Sequence, residues 1–272
     1  MKSSFSPLDA VAWTAVATCA LIGSLMLIHE LSPLADKLAI GGAVEVVLYA
    51  GVSFWLVRVT GASPPWVFGA ARRSPWLGLG FTPAPAWLFV AACALGVSLH
   101  GVADVLQLAV EALLPTPEPV LRERAERLQG GGTGERVSIA LFAVALAPLA
   151  EEMFFRGALV SRLSPGRGFW SVAATTAVCF SLSHAEPRIW PSLLLVGLAL
   201  ALLRRASASI LPGYLLHAAF NATTLSLVWS ETDQFVSRAL AWSVSAISAL
   251  LSALLLVQIA RSAPERDEAL LP

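Results

Sequence analysis

This sequence predicts an all-α bundle of membrane-spanning helices, about eight of them. Hydrophobic residues make up 57% of the 272 residues, charged residues only 13%, and the mean hydropathy is +0.73. A soluble domain carries about 25% charged residues, because polar groups must cover its surface. This chain lacks such a cover, and a helix in lipid does not need one. We therefore expect a polytopic integral membrane protein with a single domain over residues 1–272.

Eight apolar stretches are candidate spans, since a helix needs about 20 residues to cross the hydrocarbon core. The first is longer than the apolar region of a signal peptide, so we interpret it as a retained span. The sixth is shorter than the others, which leaves seven spans as an alternative, although Pro191 in its first turn would extend it. The stretches lie near residues 10–30, 40–59, 86–114, 137–160, 169–185, 190–203, 208–229 and 239–260.

Two connecting segments have a distinct composition. Residues 60–85 combine proline and tryptophan with Arg72 and Arg73, which is typical of a segment lying in the membrane interface. Residues 115–136 join a short charged helical pattern to a glycine run. That run lacks the GK[ST] of a phosphate-binding loop, so it predicts only a flexible connection.

The charge pattern bears on partners and orientation. The chain has 18 Lys and Arg against 18 Asp and Glu, so it offers no basic surface for nucleic acid. With eight spans, most basic residues fall on the side of both termini, which predicts that both termini are cytoplasmic. The arginine-rich, alanine-rich composition indicates a bacterial inner-membrane protein. The three cysteines lie in apolar runs without CxxC spacing, so we expect small buried side chains rather than a disulfide framework.

Ionisable groups inside a span are rare and by default mark a pathway or a site. The fourth span contains EEMFFR, residues 151–156, in a run that otherwise reads as a buried apolar helix. Glu152 and Arg156 are four residues apart on one helix face, so we expect them to form an ion pair. Glu151 lies on a different face and needs another partner or a chemical role.

Two later spans each contain a pair of candidate site residues with the same spacing of four. Phe180 and His184 are four residues apart in the fifth span, and so are His217 and Asn221 in the seventh. His217 and Asn221 offer donors of the kind that stabilise an oxyanion, although membrane helices also use such residues for helix-to-helix hydrogen bonds. With a glutamate that takes a proton from water, these groups complete the inventory of a hydrolytic site.

The ordered motifs EEMFFR, FSLSH and HAAFN resemble the CPBP group of intramembrane proteases, also called the type II CAAX-protease or Abi family. Its pattern is EExxxR, FxxxH and HxxxN or HxxxD on successive helices. The resemblance covers residues 148–221, within a catalytic core of about 137–229. It implies an endopeptidase that cleaves a membrane-associated protein or peptide in the lipid bilayer. The residues it assigns to catalysis are Glu151, His184, His217 and Asn221, with Glu152, Arg156 and Phe180 in support.

Metal dependence separates two versions of this mechanism. Glu151, His184 and His217 offer one oxygen and two nitrogens to zinc, which would leave a position open for water. The chain lacks HExxH, because HELSP at His29 has no second histidine, and Asn221 is a poor zinc ligand. We therefore expect no cofactor and keep a zinc protease as the alternative.

A second polar group raises rival functions. His100 and Asp104 are one turn apart in the third span, with Glu111 beyond them and Glu45 in the second span. A proton relay there would favour a proton-coupled transporter, but we expect a satisfied buried pair lining the same water-filled cavity. The chain lacks the paired broken helices typical of transporters. An inactive scaffold or immunity protein is the other rival, and the intact motifs argue against it.

One expectation conflicts with the others. Counted along the helices, Glu151 falls near the cytoplasmic end of the fourth span and His184 late in the fifth, about 15 Å apart. Tilt, a re-entrant fifth segment or displaced span ends would each close that gap.

Overall fold

The computed structural model describes residues 5–31, 37–60, 75–130, 132–230 and 238–263, and every regular element within these ranges is helical. The helices are α1 (Pro7–Leu31), α2 (Lys37–Thr60), α3 (Pro75–Leu79), α4 (Ala86–Leu113), α5 (Glu118–Gln129), α6 (Thr133–Ala140), α7 (Ala147–Glu152), α8 (Val160–Leu163), α9 (Phe169–Ser183), α10 (Trp190–Ser207), α11 (Leu211–Ser230) and α12 (Arg238–Ser262). Two π turns, Leu141–Leu146 and Met153–Leu159, join α6, α7 and α8 into one continuous helix, Thr133–Leu163.

The predicted helical membrane bundle is confirmed. Among the described residues, six helices are long and apolar enough to cross a membrane: α1, α2, α4, the α6–α8 helix, α10 and α12. Helix α9 is apolar but short, and α11 is not among the six, so the number eight stays a prediction. Exposed Val244, Ile247, Leu250 and Leu254 give α12 an apolar outer surface. Such a surface suits lipid rather than water.

The helix that bears both glutamates changes its hydrogen-bond pattern on either side of them. Pro148 lies in the first turn of α7 and has no N–H to donate, which favours a break in regular α-helical bonding at this point. Each π turn accommodates an extra residue per turn and so changes which side chains face the bundle. Glu151 and Glu152 lie between the two π turns and are both buried, as is every residue from Met153 to Leu159.

The continuous helix Thr133–Leu163 is called the central helix below. Glycine allows the closest contacts between the helices that surround it. A Cβ on Gly96 of α4 would collide with the Leu216 carbonyl and lie 2.9 Å from the Ala219 Cβ, both on α11. A Cβ on Gly197 of α10 would lie 2.9 Å from the Ala177 Cβ on α9. Membrane helices approach closely at such small residues, because packing rather than hydrophobic burial drives their association. The crossing at Gly96 holds α11 against α4.

One end of the bundle is closed by the segment after α3. Gly80 has φ +91°, a left-handed conformation that favours glycine, and its carbonyl accepts a hydrogen bond from the Ile210 N–H at 2.9 Å. The Ser161 hydroxyl donates to the Gly78 carbonyl at 2.8 Å. A Cβ on Gly157 would lie 2.7 Å from the Leu79 carbonyl oxygen, so this segment fits tightly beneath the central helix.

Several boundary predictions need correction. Helix α10 extends to Ser207, so the sixth span is longer than predicted, and Pro191 lies in its first turn as expected. Helix α5 confirms the charged helical pattern. Arg72 and Arg73 of the predicted interfacial segment lie outside the described residues. Cys179 is buried as expected, but the prediction of buried cysteines was wrong for Cys19 and Cys93, which are exposed, and all three are free thiols.

Candidate active site

Glu152 and Arg156 form the predicted ion pair in the interior of the bundle. The Arg156 Nη1 donates to Glu152 Oε1 at 2.9 Å, and neither side chain has any exposed surface. The Nη2 atom donates to the Gly197 carbonyl at 3.2 Å, and the guanidinium carbon lies 4.5 Å from the centre of the Phe180 ring. A buried ion pair needs such additional hydrogen bonds to offset its lost hydration. Arg156 therefore connects the central helix to α10 and α9.

Glu151 lies beside His217, which gives this carboxyl group a neighbour other than Arg156. The Oε2 atom of Glu151 is 3.7 Å from His217 Nε2, and His217 Nδ1 is 3.8 Å from Glu152 Oε1. Both distances exceed a hydrogen bond. Glu151 Oε2 and His217 Nδ1 have no hydrogen-bond partner among the described residues. One oxygen atom about 2.8 Å from both Oε2 and Nε2 completes a triangle, so a water or a substrate oxygen can contact both groups.

His184 immediately follows the last residue of α9, and its ring is held by its own helix. The Nδ1 atom lies 2.9 Å from the Phe180 carbonyl, which can only accept, so Nδ1 carries the proton. In the neutral ring, Nε2 then presents a lone pair. The Phe180 ring centroid lies 5.0 Å from that of His184 and 5.4 Å from that of His217. The expected gap closes because α9, only 15 residues long, ends at the site.

Asn221 completes the polar face of α11 that was predicted from its spacing to His217. Its Nδ2 donates to the Ala143 carbonyl in the first π turn at 2.8 Å, which is the helix-to-helix hydrogen bond expected as an alternative role. A primary amide carries two N–H groups. The bond to Ala143 therefore fixes the orientation of the amide while a second N–H remains for a ligand.

Glu45 on α2 is a residue of this cluster that the sequence analysis did not place there. Its ionisable neighbours are Glu151, His184 and His217. The grouping of Glu45 with the polar residues of the third span was therefore wrong.

A helical-face argument would have found Glu45. It lies one turn before Tyr49, so the second span carries two polar side chains on one face of an otherwise apolar helix. Tyr49 is buried, and its ring lies 5.2 Å and 5.8 Å from those of Phe154 and Phe155 on the central helix. These contacts direct the Glu45 face of α2 towards the site.

The polar residues of the third span form hydrogen bonds with one another and with nearby threonines, outside the Glu151 cluster. His100 Nδ1 lies 3.3 Å from Asp104 Oδ2, and its Nε2 lies 3.0 Å from the Thr224 hydroxyl. Glu111 accepts hydrogen bonds from Thr116 and from Gln107. The prediction that His100 and Asp104 pair is confirmed, but the prediction that the pair is buried was wrong for Asp104. Asp104 is 55% exposed, so this end of the pair is at the protein surface.

The proposed zinc ligands do not form a metal site. Zinc requires three protein donors converging at about 2.0 to 2.2 Å. Within the residues that the structure describes, no group of three or more histidine, cysteine, aspartate or glutamate side chains has such an arrangement. Glu151, His184 and His217 therefore do not fit a zinc ion, and no step below is derived through one.

An apolar cavity of about 500 Å³ lies against α11 near its C-terminal half. Its walls come from α6, the first π turn and α11, and include Leu141, Val144 and Trp229. Val144 follows the carbonyl that orients Asn221, and Ala222, another wall residue, follows Asn221 itself. Consecutive residues of a helix point about 100° apart, so the cavity lies along the face of α11 next to the one that bears His217 and Asn221.

Residues 133–223 match the family model described as "Type II CAAX prenyl endopeptidase Rce1-like". The match spans the central helix through α11 and confirms the resemblance drawn from the three motifs. No curated protein and no solved structure matches the chain. At the level of the family, the match supports a membrane peptidase of the CAAX type.

Proposed function

We propose that this chain, whose central region carries the signature of the Rce1-like endopeptidases, hydrolyses a peptide bond of a membrane-associated protein or peptide within the bilayer. One observation carries the proposal. Glu151 is buried in the bundle with its Oε2 atom unpartnered, 3.7 Å from His217 Nε2. A buried carboxylate without a hydrogen bond is costly unless a ligand completes it. Water bound at this point can become the nucleophile.

The chemical step uses Glu151 as general base. Glu151 takes a proton from water while the water oxygen bonds to the scissile carbonyl carbon, and the carbonyl π electrons move to its oxygen. When the tetrahedral intermediate collapses, the C–N bond breaks and Glu151 returns the proton to the leaving nitrogen. The products are a carboxyl group and an amine. His184 accepts a hydrogen bond from the attacking water at Nε2 and orients it.

His217 and Asn221 stabilise the oxyanion of that intermediate. An imidazole N–H and the free amide N–H are the donor types that such a site requires, and burial strengthens their effect. The Asn221 amide is already oriented by the Ala143 carbonyl, so little reorganisation is needed during the reaction. Glu152 and Arg156 take no part in bond making. They hold the central helix so that Glu151 faces α11.

The surroundings of the site fit a substrate that lies in the membrane. The apolar cavity lined by α6, the first π turn and α11 offers space for an aliphatic group, and none of its wall residues is charged. The matching family model is described as a CAAX prenyl endopeptidase, so we test a prenylated peptide beside other membrane-bound peptides. We place the enzyme in a bacterial inner membrane with both termini in the cytoplasm.

The test compares membrane peptides from cells expressing the wild-type chain or Glu151→Gln. Glutamine keeps the size of the side chain but cannot accept the proton, so we expect wild-type cells to accumulate new peptide ends that the variant lacks. Glu111→Gln is the matched control, because Glu111 is a glutamate of a spanning helix whose partners lie outside the site. Wild-type cleavage by Glu151→Gln would remove Glu151 from the mechanism.

A transporter and an inactive scaffold give different outcomes in the same experiment. Neither would produce peptide ends that depend on Glu151. Purified wild-type chain in detergent micelles should also cleave a quenched fluorescent peptide that carries a farnesylated CAAX sequence. If cleavage of membrane peptides occurs in cells but this probe stays intact, the substrate assignment is wrong and the hydrolytic assignment stands.

A further inference from the structure

The apolar cavity against α11 opens at the side of the bundle, where the membrane surrounds the chain. Its wall residues Val137 and Leu141 are 61% and 49% exposed, and none of the wall residues is charged. Its volume of about 500 Å³ is within the range of pockets that hold a ligand. An apolar space of this kind does not hold water. Because it opens towards lipid, a hydrocarbon chain is the group that fits it.

An arginine lies at one end of the cavity. Arg136 precedes the wall residue Val137, and its guanidinium carbon lies 5.8 Å from the ring centre of Trp229, another wall residue. The Nε atom of Arg136 donates to the Gln129 carbonyl at 2.9 Å, which fixes the orientation of the group. The two terminal nitrogens form no hydrogen bond with the described residues, and the side chain is exposed. Glu135 is directed about 100° away around the helix.

This end of the cavity lies at the level of the lipid head groups. Helix α5 is held there by the Leu128 carbonyl, which accepts from Trp229 Nε1 at 2.8 Å. Glu118 and Arg122 of α5 are about three-quarters exposed, and such charges are too costly to face hydrocarbon. Tryptophan is also enriched at this boundary. The cavity therefore begins at the head-group level, at Arg136, and continues along the apolar part of the central helix.

We propose that Arg136 and this cavity bind an anionic phospholipid, with an acyl chain in the cavity and the phosphate on the guanidinium. A guanidinium binds phosphate through two parallel hydrogen bonds, and Arg136 has two terminal nitrogens available for them. A zwitterionic phospholipid carries the same phosphate, but its ammonium group cancels the charge that attracts arginine. The charge at the end of the cavity thus selects the anionic lipid.

This inference is independent of the proposed function, because it concerns a lipid and not the peptide that is cleaved. The two uses of the cavity are nevertheless connected. A substrate whose aliphatic group enters the cavity has to displace the acyl chain of the lipid. Binding is therefore measured without any peptide, so that a failure of the hydrolytic assignment does not affect the test.

Brominated lipids test the site, because bromine quenches tryptophan fluorescence at close range and Trp229 lines the cavity. The purified chain is placed in phosphatidylcholine bilayers that contain phosphatidylglycerol or phosphatidylcholine brominated on an acyl chain. Since the chain has nine tryptophans, the Trp229 signal is the difference between each protein and the same protein with Trp229→Phe. Brominated phosphatidylglycerol should quench that signal at a mole fraction about 5-fold lower than brominated phosphatidylcholine, the preference that one basic residue at the membrane surface supplies.

Arg136→Gln should abolish the preference for phosphatidylglycerol and leave the quenching by phosphatidylcholine unchanged. Arg122→Gln is the matched control, because Arg122 is an exposed arginine at the same end of the bundle but is bound to Glu118 at 2.6 Å. It should keep the full preference. The same preference in Arg136→Gln as in the wild type would overturn the proposal, and so would an equal loss in Arg122→Gln, which would indicate a general effect of surface charge.

The position of the acyl chain is tested by filling the cavity. Val144→Phe adds volume to its wall, so quenching of Trp229 by both brominated lipids should decrease. Val244→Phe is the control, because Val244 lies on the exposed apolar surface of α12. It should quench as the wild type does. Unchanged quenching in Val144→Phe would show that lipid touches only the outer surface, and no quenching of Trp229 in the wild type would show that lipid does not enter the cavity. Either result would refute the lipid site.

Discussion

Substitutions of Glu152 and of Arg156, which form the buried ion pair, should lower the free energy of unfolding by different amounts. Arg156→Met leaves the Glu152 carboxylate without its 2.9 Å partner and the Gly197 carbonyl without its donor. Breaking a buried pair from one side costs about 3 to 5 kcal/mol. We expect a loss of that size in the free energy of unfolding for Arg156→Met.

Glu152→Gln should be more destabilising because it affects two arginines. Arg204 is also buried, its Nε donates to the Arg156 carbonyl at 3.0 Å, and its two terminal nitrogens have no hydrogen-bond partner among the described residues. Glu152 is the charged neighbour of Arg204. Removing that carboxylate takes the charged neighbour of Arg204 away and leaves Arg156 with only Glu151 as a negative neighbour. In Arg156→Met, by contrast, Arg204 still faces Glu152.

The assay is a double-mutant cycle in mixed detergent micelles, with unfolding driven by a denaturing detergent. The double variant Glu152→Gln, Arg156→Met should be less destabilised than the sum of the single variants by about 2 to 3 kcal/mol, the upper part of the range for directly coupled residues. Arg122→Met is the matched control, because Arg122 and Glu118 have the same spacing and a 2.6 Å contact but are about three-quarters exposed. It should change stability by less than about 1 kcal/mol. Additive single effects, or a smaller loss in Glu152→Gln than in Arg156→Met, would refute the reasoning.

Three further predictions concern the site itself. Asn221→Ala should lower kcat by about 100-fold to 1000-fold with little change in KM, as expected for one oxyanion donor, and a large KM effect would instead assign Asn221 to substrate binding. Wild-type cleavage should persist in a zinc chelator, and stoichiometric zinc that disappears in His217→Ala would contradict the metal-free mechanism. Gly96→Ala should lower both thermal stability and kcat, because its Cβ would push α11 and its donors away, whereas Gly51→Ala, with open space around its Cβ, should have neither effect.

Much of the fold followed from the sequence, because long apolar stretches have few alternatives in a membrane. Helices occur at all eight predicted positions, and most ends agree within a few residues. The sixth span was predicted near residues 190–203, shorter than the others, which left seven spans as an alternative. Arg204 is in fact buried and bonded to the Arg156 carbonyl, so the helix continues past it to Ser207. A charged residue usually marks the end of an apolar stretch in the sequence. In a folded bundle, however, a neighbouring helix can supply its hydrogen-bond partner, and the helix then continues past it.

The polar site was predictable where both members of a pair lie on one helix. The spacings of Glu152 with Arg156 and of His217 with Asn221 fix their relative positions, whatever the rest of the fold does. The position of Glu45 depends on which face of α2 meets the central helix, and the π turns on either side of the glutamates determine that contact. Helix faces assigned at 3.6 residues per turn do not take π turns into account. Glu45 was therefore grouped with the wrong polar residues.

Buried polar atoms without a partner are concentrated at the candidate site. Elsewhere in the described bundle, buried hydroxyls such as those of Ser53, Thr176 and Ser181 donate to carbonyls of the preceding turn. The atoms left unpaired include Glu151 Oε2 and His217 Nδ1, which belong to neighbouring side chains. Because most buried hydroxyls of the described bundle find a partner, each unpaired group calls for an explanation. An unpaired carboxylate oxygen beside an unpaired imidazole suits a water-activating site, because both can bind the same water.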